Sequence, residues 1–155
     1  MERREFMQKS SATTVLGLMV AAGWLPSVSH AQAATWNKAA FDAKTLAEAA
    51  KTLGGGAPVE SRDVELQAPE IAENGNVVRL SASSKLAGTT QIAFLVEKNP
   101  YLLSASFDIP AGTDANVSTN VKMGQSSNVY AIARVGDKYF YAVKEVKVTL
   151  GGCGG

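Results

Sequence analysis

Apolar and polar residues alternate one by one through most of the second half of the chain. After an Asn74-Gly75 turn signal, Val78, Leu80 and Ala82 alternate with Val77, Arg79 and Ser81, the period of a half-buried strand. Ile92, Phe94 and Val96 mark the next strand, which Asn99-Pro100 ends. Leu103, Ala105, Phe107 and Ile109 share a face of the following one, with Asp108 solvated on the other, and residues 110–114 turn the chain. Val117, Thr119, Val121 and Met123 then alternate with Ser118, Asn120 and Lys122. Residues 130–135 and 138–150 flank Gly136-Asp137, a two-residue loop suited to a tight hairpin. In the last strand Phe140 and Ala142 are in phase with Val146, Val148 and Leu150. Lys144 falls on the same face, and a bulge over residues 143–145 is expected to absorb that conflict.

Ahead of the strands the period changes. Residues 37–53 read as one helix, with Asn37 as N-cap, Gly54 as stop, Leu46, Ala50 and Leu53 on one face, and Lys44 paired with Glu48. Gly54-Gly55-Gly56 follows a helix and lacks the lysine and hydroxyl of a phosphate-binding loop, so it reads as a helix stop and linker. From Val64 onward the pattern is period two. About six or seven short strands, with turn signals at roughly 8–12-residue spacing, predict an all-β fold: an immunoglobulin-like antiparallel β-sandwich with an N-terminal helix. One cysteine rules out an internal disulfide to pin it.

The N-terminus belongs to a different class. Arg3 and Arg4 precede an uncharged, mostly apolar run over residues 10–25, and small residues stand at Ala31 and Ala33. This is the pattern of a cleavable export signal over residues 1–33. Gly17, Gly23 and Pro26 interrupt it short of the ~20 apolar residues that cross a bilayer, so no membrane anchor is expected. Arg3-Arg4-Glu5-Phe6 followed by Lys9 fits the twin-arginine type of signal, which carries folded proteins to the periplasm. The expected organisation is then a signal over 1–33, a helix and linker over 34–56, a sandwich over 57–150 and a glycine-rich arm over 151–155.

Composition narrows the chemistry. The chain has 46% apolar and 19% charged residues, ordinary values for a globular domain. Its single histidine, His30, lies in the signal, so histidine-dependent nucleophilic pairs and histidine metal sites are not expected in the exported part. The signal holds three of the 15 basic and two of the 14 acidic residues, which leaves 12 of each. A net charge near zero offers no footprint for nucleic acid or an anionic membrane.

What remains is the end of the sequence, Thr149-Leu150-Gly151-Gly152-Cys153-Gly154-Gly155. Four glycines give Cys153 no apolar side chains to bury it, and without Cβ atoms they make a thin, conformationally free arm. Three residues past Leu150, the thiol reaches ~10 Å from the last strand. No cation neighbours it in sequence, so it stays mostly protonated at neutral pH and its chemistry has to come from other proteins. That favours delivery of a covalently attached group, and export in the folded state implies assembly with a partner protein in the cytoplasm beforehand.

The paired-arginine signal, the β-sandwich-sized remainder and the terminal Gly-Gly-Cys-Gly-Gly together resemble the SoxY family, sulfur-carrier subunits of the bacterial thiosulfate-oxidising Sox system. The resemblance implies that Cys153 is the sulfur attachment site and that Gly151, Gly152, Gly154 and Gly155 form its arm. It further implies that a haem enzyme joins thiosulfate to the cysteine oxidatively, a manganese enzyme releases sulfate, and a molybdenum and haem enzyme oxidises the remaining sulfur. The carrier itself is then no enzyme. It binds no cofactor beyond the sulfur adducts on Cys153, and it pairs with a β-sandwich subunit, SoxZ.

Other readings stay open on the residues alone. An exported scaffold or adhesion module would use Cys153 for an intermolecular disulfide, with Tyr130, Tyr139 and Tyr141 as an exposed patch. A ubiquitin-like carrier would end in Gly-Gly on a β-grasp fold. Glu60, Asp63 and Glu65 are candidate catalytic carboxylates, with Asp63 and Glu65 on one strand face. Asn116-Val117-Ser118 is an incidental match to a glycosylation acceptor.

Overall fold

The computed structural model describes residues 37–149. The expected export signal over 1–33, residues 34–36, Leu150 and the expected arm over 151–155 with Cys153 lie outside the described residues.

Where the apolar spacing predicts one helix over residues 37–53, the structure has two, α1 (Lys38–Asp42) and α2 (Leu46–Thr52). Ala43 takes an extended backbone with ψ 139°. Thr45 then starts a new helix, its side chain accepting a hydrogen bond from the Glu48 amide at 3.2 Å. Glu48 Oε2 in turn accepts from the Lys44 amide at 3.0 Å, a variant of the capping box in which Glu48 reaches back to the residue before the cap. The Lys44 ammonium therefore does not meet Glu48. It donates to the Pro100 carbonyl at 3.2 Å and lies 5.7 Å from the centroid of the Tyr101 ring. Asn37 does cap α1, accepting from the Ala40 amide at 3.2 Å.

Nine strands follow among the described residues: β1 (Val59–Glu60), β2 (Val64–Gln67), β3 (Ile71–Ala72), β4 (Val78–Ser84), β5 (Thr89–Val96), β6 (Leu103–Asp108), β7 (Asn116–Val121), β8 (Ser127–Val135) and β9 (Lys138–Val148). One sheet runs β1-β9-β8-β5-β6, with β3 also on β9, and the other runs β2-β4-β7. The fold is a two-sheet β-sandwich. Its pairings are antiparallel except at one edge, where β1 and β3 run parallel to β9.

Between the sheets, Ile92, Phe94 and Val96 of β5 and Val129, Ala131 and Ala133 of β8 pack against Val78, Leu80 and Ala82 of β4. On the outer face of the larger sheet, Ala93, Leu95 and Ile132 lie under Ala40, Ala49 and Ala50 of the two helices. The central strands are thus covered on both sides. Each fully buried leucine or isoleucine in them contributes about 1.5–3 kcal/mol.

The helical layer is locked by Arg134, which donates to the carbonyls of Leu53 and Gly54, both at 3.1 Å, and of Gly136 at 2.8 Å. Gly54, with φ 91°, ends α2: its amide donates to the Lys51 carbonyl and the Gly55 amide to the Ala50 carbonyl. This paired C-cap needs the left-handed residue that glycine supplies. Tyr139 is only 1% exposed, so it is not part of a surface patch. Tyr130 and Tyr141 are half-buried in an edge-on pair with ring centroids 5.9 Å apart.

Two further expectations about irregular strands are corrected. β9 has no bulge, because its register against β8 is continuous from Val135↔Lys138 to Ser127↔Val146. Lys144 reaches solvent instead through a cleft of about 380 Å³ beside Ala68, Glu70 and Ile71, where the edge of β9 is bare between β1 and β3. Register shifts lie elsewhere, in β5 between Thr89 and Gln91 against β8, and in β6. The register of β6 with β5 passes from Phe94↔Ala105 to Leu95↔Leu103, which leaves Ser104 as the extra residue. Leu103 is thereby turned toward the helices, while Ala105, Phe107 and Ile109 keep the inner face.

Candidate functional site

Cys153, Gly151, Gly152, Gly154 and Gly155 lie outside the described residues, so the site is built from its root, the end of β9. Alternation brings Phe140, Ala142, Val146 and Val148 to the inner face and carries the strand to Val148. Both edges of that end are occupied. The Lys147 amide donates to the Glu70 carbonyl at 2.9 Å and the Thr149 amide to the Ala72 carbonyl at 3.1 Å. On the other side the Val148 amide donates to Ser126 Oγ at 2.9 Å.

Gly75 closes the root from a third direction. Its carbonyl accepts from the Met123 amide at 2.7 Å. A Cβ on it would stand 2.5 Å from the Met123 carbonyl oxygen and 2.8 Å from Val148 Cγ1. In the sequence Asn74-Gly75 reads as a turn signal only, and nothing marks Ser126 or Ala72. These contacts span 22 residues from Ser126 to Val148 and 77 from Ala72 to Thr149, and no local pattern marks them.

The candidate carboxylates do not converge. Glu60 is in β1 on the larger sheet and Glu65 in β2 on the smaller one, while Asp63 sits in the turn before β2, its amide bonded to Ser61 Oγ at 3.2 Å. Glu65 forms an ion pair with Lys85, and the hydrogen bond to Glu65 holds the Lys85 pKa above its ordinary value. Among the described residues no group of three histidine, cysteine, aspartate or glutamate side chains is placed to hold a metal ion. The one buried phenol, Tyr139, has its pKa pushed up by desolvation against a smaller downward pull from Arg134. Its hydroxyl lies 2.8 Å from Gln91 Oε1 and 3.2 Å from the Leu53 carbonyl, a structural rather than reactive setting.

The family described as sulfur oxidation protein SoxY matches residues 49–153. The solved structure of the sulfur carrier protein SoxY from Chlorobium limicola f thiosulfatophilum is 34% identical over 66% of this chain and 94% of that one, with a TM-score of 0.60. A chain from a structure on T cell activation by the bacterial superantigen toxic shock syndrome toxin-1 covers 56% of this chain and 98% of its own at 13% identity. With a TM-score of 0.42 it carries no argument. No curated protein matches the chain. Matched over most of its length by the family, and by a relative at one residue in three, the chain belongs to the SoxY family of sulfur oxidation proteins.

Proposed function

We propose that this chain carries sulfur intermediates covalently on Cys153 during thiosulfate oxidation and presents them to separate enzymes. The observation that carries the reading is that the family match runs to residue 153, the cysteine itself. The relative at 34% identity is named a sulfur carrier. Glycines at 151, 152, 154 and 155 suit a tether thin enough to enter another protein's active site.

The chemistry is that of sulfur on a thiol. In loading, the Cys153 sulfur bonds to the outer sulfur of thiosulfate, the thiol proton leaves, and two electrons pass to a haem-containing partner. The product is a cysteine S-thiosulfonate. Water then attacks the sulfonate sulfur under a manganese-dependent hydrolase, breaking the bond between the two outermost sulfurs. Sulfate and protons leave, and a persulfide stays on Cys153. A persulfide is a reversible cap on cysteine, and the tether keeps its reactive sulfur from diffusing away. A molybdenum and haem enzyme oxidises that sulfur further.

In this reading the chain is not itself a catalyst. It works in the periplasm after twin-arginine export, as a heterodimer with a SoxZ-like β-sandwich subunit. The test is a strain in which Cys153→Ser replaces the native protein. Loss of growth-linked thiosulfate oxidation, with the protein still exported at its normal level and melting temperature, is expected. Full oxidation by that strain contradicts the proposal.

A further inference from the structure

We propose that Ser126 is a positioning residue that fixes the pivot of the Cys153 arm at Thr149 and so sets how far the thiol reaches; the proposal rests on the carrier reading above. The backbone ladder between β8 and β9 ends at Ser127↔Val146. Val148 lies beyond it, and the Ser126 side chain takes over as its partner. The hydroxyl accepts from the Val148 amide at 2.9 Å and stands 3.5 Å from the Val148 carbonyl, serving both groups a strand would have served. On the opposite edge, Ala72 pairs with Val148 and accepts the Thr149 amide. Gly75 leaves just the room that Val148 Cγ1 fills.

The clamp therefore grips Val148 and Thr149 from both sides. Cys153 lies four residues past Thr149. Fully extended, that length places the thiol within ~14 Å of its pivot. Without the hydroxyl, the backbone of residues 148–149 is paired only through the two-residue strand β3, and a pairing that short is marginal. The pivot then retreats to Val146, the last residue paired with β8, and three more residues add ~10 Å of reach.

Two measurements on the full chain test this separately from the sulfur chemistry. Amide hydrogen exchange on the purified protein is expected to show protected Val148 and Thr149 amides. Ser126→Ala lowers that protection roughly five- to tenfold, the size of one hydrogen bond, and leaves Val146 unchanged; Ser126→Thr, which keeps a hydroxyl, restores it. Unchanged protection of Val148 in Ser126→Ala overturns the pivot.

The second measurement reads reach. Deleting Gly152 shortens the arm and is expected to lower the fraction of cysteine loaded in thiosulfate-fed cells, read as the adduct mass of the C-terminal peptide. Adding Ser126→Ala to the deletion restores loading, and adding Ser126→Thr does not. A general packing defect would deepen the loss instead. Normal loading of the shortened arm, or no rescue by Ser126→Ala, overturns the claim about reach. If the undeleted chain carries no adduct at all, the carrier reading fails, and the exchange measurement still decides the pivot on its own.

Discussion

Replacing Gly75 by alanine puts a methyl group 2.5 Å from the Met123 carbonyl oxygen and 2.8 Å from Val148 Cγ1. Neither neighbour yields easily. The Met123 amide is bonded to the Gly75 carbonyl at 2.7 Å, so the two backbones cannot part without losing that bond, and Val148 is a β-branched side chain packed against the core. Overpacking costs about 1–3 kcal/mol, and with one of the two clashes against backbone the expected value is the upper half, about 2–3 kcal/mol. For a domain of this size each kcal/mol moves the melting temperature by roughly 3–5 °C, so a fall of roughly 6–15 °C is predicted by calorimetry.

The comparison is Gly124→Ala, where nothing lies within 4 Å of an added Cβ and a change within about 0.5 kcal/mol is expected. Because the strain acts on Val148, Gly75→Ala is also expected to raise hydrogen exchange at the Val148 amide. A Gly75→Ala protein that melts with the Gly124→Ala protein, at the native temperature, would refute the packing assigned to the root of the arm.

Other consequences are as direct. Arg134→Ala removes donors to the Leu53, Gly54 and Gly136 carbonyls and is expected to cost about 2–3 kcal/mol in urea unfolding, with α2 losing exchange protection first. Thr45→Ala removes the cap of α2 and is expected to cost about 1 kcal/mol by the same assay. Burial raises the Tyr139 pKa, so the native state keeps the phenol proton to higher pH than the unfolded chain does. Its stabilisation is therefore complete below the ordinary phenol value of 10.0 and is lost as pH rises through the raised native value. Urea midpoints on either side of pH 10.0 are expected to fall more steeply for the native protein than for Tyr139→Phe, and equal slopes would contradict that assignment.

Features carried by a period, or by a short turn, could be read from the sequence. The β8–β9 hairpin about Gly136-Asp137 follows from two alternating runs and a two-residue loop, with Gly136 at φ 59°. β1 and β3 could not be read in this way, since a two-residue strand has no period and both gain their pairing from β9, many residues away. The helix break was written in the sequence as Thr45-x-x-Glu48, but the apolar spacing of Leu46, Ala50 and Leu53 masks it. Leu103 shows the limit of strict alternation: one inserted residue, Ser104, sends it to the opposite face.

The candidate site divides along the same line. Cys153 stands out in the sequence because its immediate neighbours are four glycines, which bring no apolar or cationic side chain beside the thiol. Ser126, Ala72 and Gly75 are ordinary loop and strand residues until the fold gathers them at the end of β9.

The central claim is that Cys153 bears the sulfur. Its most direct test is the mass of the C-terminal tryptic peptide, residues 148–155, from protein isolated from cells given thiosulfate. The account predicts peptide carrying one added sulfur atom and peptide carrying a sulfur atom plus a sulfonate, both lost on treatment with a thiol reductant. Finding only the free thiol or a disulfide-linked peptide contradicts it.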